Sequence, residues 1–453
     1  MNEYIFRKYD IRGIVKTDFT DDVVTNLGKS FGTYIKRNGG TVIGLSGDMR
    51  ETTPRLKQKF TDGVISTGII VKDMGVIPTP ANYFSMYHLN IDGAVQITGS
   101  HNPPEFNGFK LSLNKKAFYG DQIQYLKNLI LKQDFEIGEG KGINHPILDD
   151  YLNMLESKIK IEKKLKVVMD CGNAAGCLGG PDVYKNLGIE LTELFCEIDP
   201  SFPNHHPDPT EDKNLTDIIK LIKNGDYDFG VAFDGDADRA ILIDEKGNII
   251  RADHMMCLFL PEIIKNPGDE IIFDVKCSQA LEEMIKKYGG TPTIWKTGHS
   301  LIKEKMRENK VNFAGEMSGH IFFADDYYGF DDALYVGLRA AQTLSRTNKK
   351  LSELTKEIPK YYSTPEMRIE CLDDEQKFKI AEKAISFFTK NYDCETIDGV
   401  RIRFENGWGL VRASNTQPVI VTRFEAKTEP ELIEIKKLVL NKISEFGNFT
   451  VNE

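Results

Sequence analysis

Residues 41–73 read TVIGLSGDMRETTPRLKQKFTDGVISTGIIVKD and contain a complete strand–helix–strand unit. The apolar runs at 41–46 and 67–73 have the length and the β-branched residues of buried strands. Between them, Leu56 and Phe60 mark apolar positions that recur every four residues, which is the spacing of one helix face. This order predicts two parallel strands joined by a crossover helix, the unit of an α/β fold.

The same alternation continues beyond this unit and recurs twice more along the chain. The predicted strands lie at 91–98, 165–170, 188–195, 228–233, 270–275, 292–296 and 311–314, and the predicted helices lie at 54–66, 180–187, 214–224, 278–288 and 299–308. The alternation predicts three related α/β domains with mostly parallel sheets.

The final part of the chain has a different pattern. Its predicted strands lie at 367–371, 400–404, 408–413 and 418–424, and its predicted helices lie at 374–390 and 428–445. Glu405-Asn406-Gly407, between two of these strands, favours a hairpin turn. The pattern predicts a separate α+β domain. The four predicted domains are 1–146, 147–248, 249–362 and 363–453.

The overall composition disfavours several classes of function. A formal net charge of −10 and a pI of 5.5 argue against nucleic acid or an anionic membrane as a partner. The N-terminus lacks the apolar core of a signal peptide, and no apolar stretch reaches the ~18 residues of a membrane span, so we expect a cytoplasmic protein. The 7 cysteines lack metal-binding spacing, which predicts reduced thiols.

Residues 98–104 read Thr-Gly-Ser-His-Asn-Pro-Pro and directly follow a predicted strand. Glycine permits a sharp turn and proline fixes the exit, so Ser100 is presented on a loop. With His101 beside it and Lys110 shortly after it, Ser100 is a candidate nucleophile. The alternative is an ordinary polar turn, because serine, asparagine, glycine and proline are common in turns.

Residues 234–239 read Asp-Gly-Asp-Ala-Asp-Arg and lie between two predicted strands. Carboxylates at alternate positions can converge on a hard cation such as Mg²⁺. A calcium-binding EF-hand loop is an alternative, because the three aspartates and Glu245 match its ligand positions. Against it, Arg239 replaces the required glycine and the flanking segments are predicted strands. A solvated acidic turn is the remaining alternative.

Two further loops carry groups suited to a phosphorylated sugar. Residues 412–418 read Arg-Ala-Ser-Asn-Thr-Gln-Pro and combine several donors to phosphate in one turn, although a plain hairpin turn is the alternative. Residues 315–320 read Gly-Glu-Met-Ser-Gly-His, in which Glu316 and Ser318 can exchange hydrogen bonds with sugar hydroxyls. A nucleophile, a cation site, a phosphate anchor and a sugar-binding loop together indicate phosphoryl transfer.

In this order and at these spacings, the four motifs resemble the α-D-phosphohexomutase superfamily, from Tyr9-Asp10-Ile11-Arg12-Gly13 to Arg423. The loop GEMSGH resembles the bacterial phosphomannomutase/phosphoglucomutase branch, whereas the phosphoglucosamine mutase branch usually has glutamine in place of Met317. The resemblance implies three related α/β domains and a tail domain similar to the TATA-binding-protein fold, arranged around a central cleft.

The resemblance also implies a role for each candidate residue. Ser100 would carry a phosphate, and this phosphate together with Asp234, Asp236 and Asp238 would hold Mg²⁺. The residues implied around the transferring phosphoryl group are Arg12, Lys110, Arg239 and His320, with Lys110 and His320 as the candidates for general acid and base. The implied substrate-binding residues are Tyr9, Lys276, His299, Glu316, Ser318, Arg412, Ser414, Asn415 and Thr416.

The implied reaction interconverts the 1-phosphates and 6-phosphates of mannose and glucose. It would proceed through a phosphoserine and a hexose 1,6-bisphosphate that serves as intermediate and activator. The alternatives are a phosphoglucosamine mutase, a phosphatase with a phosphoserine intermediate and a non-catalytic phosphosugar-binding protein. The phosphate-anchoring loop around Arg412 argues against simple hydrolysis, and the intact Ser100 and aspartates argue against a non-catalytic role.

Overall fold

The computed structural model describes residues 2–414 and 418–447, which form four successive β-sheets with helices packed against them. The predicted arrangement of three α/β domains and an α+β tail is confirmed. The limits given above for each domain stay a prediction. Among the helices in the described residues, none combines the length and the apolarity needed to cross a membrane.

The first sheet has the strand order β1-β5-β4-β2-β3-β7, with β6 attached to β5. Its strands are β1 Ile11–Ile14, β2 Val42–Gly47, β3 Ile70–Val76, β4 Gly93–Ile97, β5 Phe106–Leu113, β6 Lys116–Phe118 and β7 Gly142–Asn144. Its helices are α1 Val15–Asp18, α2 Asp21–Arg37, α3 Thr53–Ile65, α4 Thr79–His88 and α5 Asp121–Lys132. Strand β2 pairs in parallel with β3 and β4, whereas β5 runs antiparallel to β4 and β1.

The second and third sheets repeat this mixture on a smaller scale. The second domain contains α6 Leu148–Lys158, β8 Lys166–Asp170, α7 Gly180–Asn186, β9 Glu190–Leu194, α8 Thr216–Lys223, β10 Phe229–Phe233, β11 Ala240–Asp244 and β12 Ile249–Ile250. The third contains α9 Ala252–Ile263, β13 Glu270–Asp274, α10 Gln279–Lys287, β14 Thr291–Trp295, α11 His299–Asn309, β15 Phe313–Gly315, β16 Ile321–Phe323, α12 Ala333–Ser345 and α13 Leu351–Leu354. In both sheets, the parallel strands are followed by an antiparallel pair. The pair is β10–β11 in the second sheet and β15–β16 in the third.

The fourth sheet is antiparallel and has the order β17-β22-β21-β20-β19, with β18 also paired to β22. Its elements are β17 Tyr362–Ser363, β18 Met367–Glu370, α14 Asp374–Asn391, β19 Asp393–Glu395, β20 Val400–Phe404, β21 Gly407–Ala413, β22 Val419–Ala426 and α15 Glu429–Gly447. The predicted hairpin is present, because Phe404 pairs with Gly407 across a two-residue connection.

The three α/β sheets are mixed, because antiparallel strands join the predicted parallel ones. Each α/β sheet ends in antiparallel strands, and the connection into the antiparallel strand carries one predicted motif. The serine loop joins β4 to β5, the aspartate loop joins β10 to β11, and the sugar-binding loop joins β15 to β16. The fourth motif lies between β21 and β22. All four predicted motifs are therefore connections between adjacent antiparallel strands.

Helix α2 was not predicted, and its packing explains why. Gly28 of α2 and Gly63 of α3 face each other so closely that an added Cβ would lie 2.2 Å from Phe60 O or 2.1 Å from Thr25 O. Glycine lowers the helix propensity of a segment, so these positions weaken the sequence signal of a helix. The two glycines allow α2 and α3 to cross at short range.

The domains are joined by buried contacts rather than by loose linkers. One apolar cluster contains residues of the first, second and third domains, including Tyr83 on α4, Tyr151 and Phe273. The tail domain docks on the third through Arg401, whose Nη1 donates to the carbonyls of Val275 and Cys277 at 2.9 Å each. These contacts fix the positions from which the four connections approach one another.

Candidate active site

Ser100 lies in the β4–β5 connection and faces the aspartate loop of the second domain. Its φ of +49° is a conformation that costs a non-glycine residue roughly 1–2 kcal/mol. Its N–H donates to Thr98 Oγ1 at 2.8 Å, and its hydroxyl donates to Asp234 Oδ2 at 3.1 Å. His101 Nδ1 lies 3.2 Å from the same hydroxyl oxygen. The loop therefore presents the serine oxygen to a neighbouring domain in a strained, held conformation.

A buried arginine that sequence reasoning missed holds this loop in place. The Arg50 guanidinium donates to the carbonyls of Ser100 at 2.8 Å, Asn102 at 2.5 Å, Pro103 at 2.7 Å and Phe106 at 3.1 Å. Its Nε donates to Asp48 Oδ2 at 3.2 Å. Arg50 follows β2 at the carboxyl end of the parallel strands, and this location was the available signal, since α/β sheets place their sites there.

Replacing Arg50 with lysine should keep the positive charge and lose the planar fork that reaches several carbonyls at once. We expect kcat to fall by about 10- to 100-fold, because a displacement of ~1 Å in a reacting group can cost that much. Far-UV circular dichroism should remain native. Arg55→Lys, at a more exposed arginine of the following helix, is the matched control and should retain its kcat. An unchanged kcat in Arg50→Lys would rule out this positioning role.

Asp234, Asp236 and Asp238 form a buried cluster in the β10–β11 connection, and one oxygen of each lies within 4.8 Å of the others. Asp234 Oδ1 accepts from the N–H groups of Asp238 at 3.0 Å and Arg239 at 3.1 Å. Gly235 allows close approach to the serine loop, since an added Cβ would lie 2.1 Å from Ser100 O. The flanking elements are antiparallel strands, so the EF-hand alternative, which requires helices, is wrong.

The oxygen ligands of this cluster favour a hard divalent cation. Burial and the charges of Asp238 and Asp236 raise the pKa of Asp234 well above its ordinary value. Lys110 on β5 donates to Asp236 Oδ2 at 2.6 Å and to Asp238 Oδ2 at 2.5 Å. Asp236 Oδ1 is buried and has no hydrogen-bond partner among the described residues. Arg239 and His320 also lie beside these carboxylates, and the unpaired oxygen of Asp236 is suited to bind a metal.

His320 connects the aspartate cluster to the sugar-binding loop. Its Nε2 lies 3.2 Å from Asp238 Oδ1, and its Nδ1 lies 2.9 Å from Glu316 Oε2 and 3.1 Å from Ser318 Oγ. Burial disfavours the charged ring, but Asp238 and Glu316 outweigh it and raise the pKa of His320 to about 9. Arg239 Nε lies 3.2 Å from His320 Nε2. Lys110 and His320, the candidates for general acid and base, therefore both contact Asp238.

A second histidine and a missed aspartate lie behind this group. The ring of His299 stacks on His320 with centroids 5.4 Å apart. Asp331 Oδ2 lies 3.3 Å from His299 Nδ1, and Asp331 Oδ1 accepts from Lys303 Nζ at 2.7 Å. Asp331 stands in a loop with no repeated spacing, so the sequence contains no signal that marks it. Its carboxylate fixes His299 beside the predicted catalytic histidine.

The N-terminal candidates lie beside the serine loop and the third domain. Arg12 Nη1 lies 3.4 Å from Asn102 Oδ1 of the serine loop, and Arg12 Nη2 donates to Asp10 Oδ2 at 2.6 Å. The Tyr9 hydroxyl donates to Thr297 O at 3.0 Å in the third domain. Arg12 is therefore placed beside Ser100, whereas Tyr9 lies further along toward the tail domain.

The phosphate-anchor candidates gather where the third and fourth domains meet. Arg412 Nε donates to Asp398 Oδ2 at 3.1 Å, and this carboxylate also accepts from the Thr297 N–H at 3.0 Å. Lys276 Nζ lies 3.3 Å from Glu366 Oε2 and is buried. Ser414 is buried at the end of β21, whereas the predicted Asn415 and Thr416 lie outside the described residues. The structure thus brings Arg412 and Lys276 to one end of the cleft.

Models of four phosphoglucomutase/phosphomannomutase domains match successive stretches of the chain. Alpha/beta/alpha domain I matches residues 3–136, domain II matches 149–247, domain III matches 251–362 and the C-terminal domain matches 347–442. A phosphomannomutase/phosphoglucomutase of Pseudomonas putida is 42% identical over 438 residues, which cover 95% of this chain and 94% of that protein.

Solved structures agree with these matches. A phosphoglucomutase/phosphomannomutase family protein from Burkholderia thailandensis has a TM-score of 0.94 at 39% identity, covering 100% of this chain and 99% of that chain. An N-acetylphosphoglucosamine mutase from Aspergillus fumigatus, in complex with GlcNAc-6P and magnesium, has a TM-score of 0.66 at 14% identity over 97% and 96% of the two chains. At that identity, the second likeness concerns the fold.

Proposed function

From the premise that this chain belongs to the phosphoglucomutase/phosphomannomutase family, we propose that it acts on both mannose and glucose phosphates through a phosphoserine at Ser100. The family interconverts hexose 1-phosphates and hexose 6-phosphates, so this chain is a mutase and its reaction is an isomerisation. The observation that carries the site assignment is the Ser100 hydroxyl, which faces the three buried aspartates at 3.1 Å from Asp234.

The aspartate cluster is a site for a divalent metal, and we assign it to Mg²⁺ because its ligands are hard oxygens. Asp234, Asp236 and Asp238 would hold the ion together with an oxygen of the Ser100 phosphate. When bound, the ion would neutralise charge on the transferring phosphoryl group and lower the pKa of Lys110 and His320 by repulsion.

The covalent step moves one phosphoryl group between two oxygens. The bond from phosphorus to Ser100 Oγ breaks as a bond forms from phosphorus to the free O6 or O1 of the sugar. The sugar hydroxyl loses its proton to one of Lys110 and His320, and Ser100 Oγ takes a proton from the other as the phosphoryl group leaves it. The guanidinium groups of Arg12 and Arg239 donate hydrogen bonds to the oxygens of the transferring phosphoryl group.

The hexose 1,6-bisphosphate would then turn end for end before Ser100 takes back the other phosphate. Glu316 and Ser318 would hold the sugar hydroxyls, while Arg412, Lys276 and the loop containing Ser414 would anchor the phosphate that is not reacting. Escape of the bisphosphate leaves Ser100 unphosphorylated, so added bisphosphate should act as an activator. Asn415 and Thr416 are assigned to the same anchor from the family motif.

A phosphoglucosamine mutase is the second candidate, because the same geometry would serve a 2-amino sugar. A coupled assay with mannose 1-phosphate, glucose 1-phosphate and glucosamine 1-phosphate at equal concentration decides between them. We expect comparable kcat/KM values for mannose and glucose, and the value for glucosamine, which differs from glucose only at C2, should not exceed both. A preference for the glucosamine compound over both others would reassign the substrate and leave the phosphoserine chemistry in place.

Removing the metal should stop the reaction. We expect a chelator to lower turnover by at least ~10²-fold, the scale of losing one electrostatic contact to a transition state, and Mg²⁺ to restore it. Asp236→Asn should require far more Mg²⁺ for half-maximal activity, because Asp236 offers the unpaired oxygen. Asp226→Asn, at an exposed aspartate of the same domain, is the control. A chelator-resistant wild type would contradict the metal assignment.

Loss of the phosphate anchor should affect both binding and turnover. We expect Arg412→Ala to lower kcat/KM by ~10- to 100-fold, since a hydrogen bond to a charged group contributes about 1.5–3 kcal/mol. Binding energy far from the reacting atoms is used to orient the sugar, so kcat should fall as well. Arg346→Ala, at a more exposed arginine directly after α12, should be active. A rise in KM alone would mean that Arg412 contributes only to affinity.

A further inference from the structure

A cavity of about 320 Å³ lies between the first and third domains, behind the candidate active site. One wall is the β5–β6 turn with the end of α4, and the other is the C-terminal half of α11 with the loop before Asp331. Its volume lies in the range of small-molecule sites, which are often found between domains. None of the candidate active-site residues lines it.

The lining of this cavity combines cations with aromatic rings. Its charged members are all basic among the described residues, and they are Lys115, Lys116, Lys303, Arg307 and Lys310. Its aromatic members are Tyr83, Tyr87, Tyr328 and Phe330. The chain as a whole has a formal charge of −10, so this concentration of positive charge is against the overall balance. A basic lining favours a phosphate or another multiply charged anion.

The aromatic rings of the cavity lining indicate which chemical group the bound anion carries. Tyr87 is half-buried, and the ammonium of Lys115 lies over its ring, 4.9 Å from the centroid. A ring face that accepts a cation also accepts a planar base by stacking. The polar side chains of the lining outside the cations and tyrosines are Ser112 and Asn312, so among the described residues it has no carboxylate comparable to Glu316 for sugar hydroxyls. The cavity is therefore better suited to a nucleobase than to a hexose.

The cavity is separate from the active site but contacts it through one helix. His299 begins α11 in the active site, and Arg307 lies eight residues later, or ~12 Å along the helix axis. Lys303 lies between them, lines the cavity and donates to Asp331, which also contacts His299. The Arg307 guanidinium donates to Lys115 O at 3.1 Å and so bridges the two domains. A ligand held here would contact both domains at once.

We propose that this cavity is a binding site for a nucleotide, specifically a nucleoside diphosphate. The base stacks on Tyr87, and Lys115 leaves the ring to join Arg307 and Lys310 around the phosphates. The site is additional to the hexose phosphate site, and both can be occupied together.

Calorimetric titration of the full chain with ADP, GDP and UDP, in the presence of saturating glucose 1-phosphate, tests the proposal. We expect at least one nucleoside diphosphate to bind at micromolar to submillimolar concentration without being displaced by the sugar phosphate. Absence of binding by all three at millimolar concentration would overturn the proposal, and so would displacement by glucose 1-phosphate, which would place the nucleotide in the active site.

Variants separate the two parts of the ligand. The double change Arg307→Ala and Lys310→Ala should weaken nucleotide binding by at least ~10-fold, because each removes a cation from the phosphates. Lys305→Ala, on another face of the same helix, is the matched control and should bind normally. Tyr87→Ala should weaken binding of the nucleotide and leave the affinity for inorganic pyrophosphate unchanged. Equal affinity of the wild type for pyrophosphate and nucleotide would overturn the stacking and, with it, the assignment.

Discussion

Replacing Ser100 with alanine should lower turnover by at least ~10³-fold, the scale expected when a covalent step is lost. The Ser100 hydroxyl is hydrogen-bonded to Asp234, and alanine removes it without adding volume. Arg50 binds the loop through backbone carbonyls, so the loop should keep its conformation in the variant. The loss would then report the chemistry rather than a collapsed loop.

Mass spectrometry of the intact protein completes this experiment. The wild type, incubated with glucose 1,6-bisphosphate, should gain one phosphate, and Ser100→Ala should gain none. Ser157→Ala, at an exposed serine of α6, is the control and should match the wild type in mass shift and turnover. Normal turnover by Ser100→Ala would exclude the phosphoserine mechanism.

Galactose 1-phosphate should react with a kcat/KM ~10⁴-fold below that of glucose 1-phosphate, because a site built to bind a hydroxyl rejects an analogue that leaves its polar groups unpaired. A half-turn that exchanges the two ends of the sugar roughly exchanges O3 with O4. Both are equatorial in glucose and mannose, and O4 is axial in galactose. Contacts from Glu316 and Ser318 to O3 and O4 would survive the turn only when both hydroxyls are equatorial.

The structure explains why this discrimination should be strong. Glu316 Oε1 accepts from the Gly298 N–H at 2.5 Å, and its other oxygen pairs with His320, so the carboxylate cannot turn to follow an axial hydroxyl. The assay compares galactose, glucose and mannose 1-phosphates under single-turnover conditions with phosphorylated enzyme. Mannose should lie within about tenfold of glucose, since the proposed contacts do not involve C2. A galactose rate similar to that of glucose would show that the loop does not select O4.

Much of the candidate site could be predicted because its residues are local to strand ends. The serine, aspartate and sugar-binding loops each follow a short apolar strand, and their composition indicates chemistry without knowledge of the fold. Lys110 was predicted from its position after the serine loop, but its location on β5 was not. There, Phe109 and Leu111 enter the core while Lys110 points to the other face, toward the aspartates.

Arg50 and Asp331 could not be assigned because their partners are far away in the sequence. Arg50 acts on carbonyls 50 or more residues later, and Asp331 pairs with His299 and Lys303 only after the third domain has folded. Neither stands in a motif with a diagnostic composition. Such residues support the reacting groups through tertiary contacts, and a single sequence contains no record of those contacts.

The four strand connections that carry the predicted motifs belong to four different sheets. Catalytic competence is then a property of assembly, as it is for enzymes whose sites form between subunits. Heating that separates the domains by a few ångströms would abolish catalytic activity while every sheet is still intact. Inactivation should therefore be partly reversible on cooling, and it should begin at a lower temperature than the loss of secondary structure.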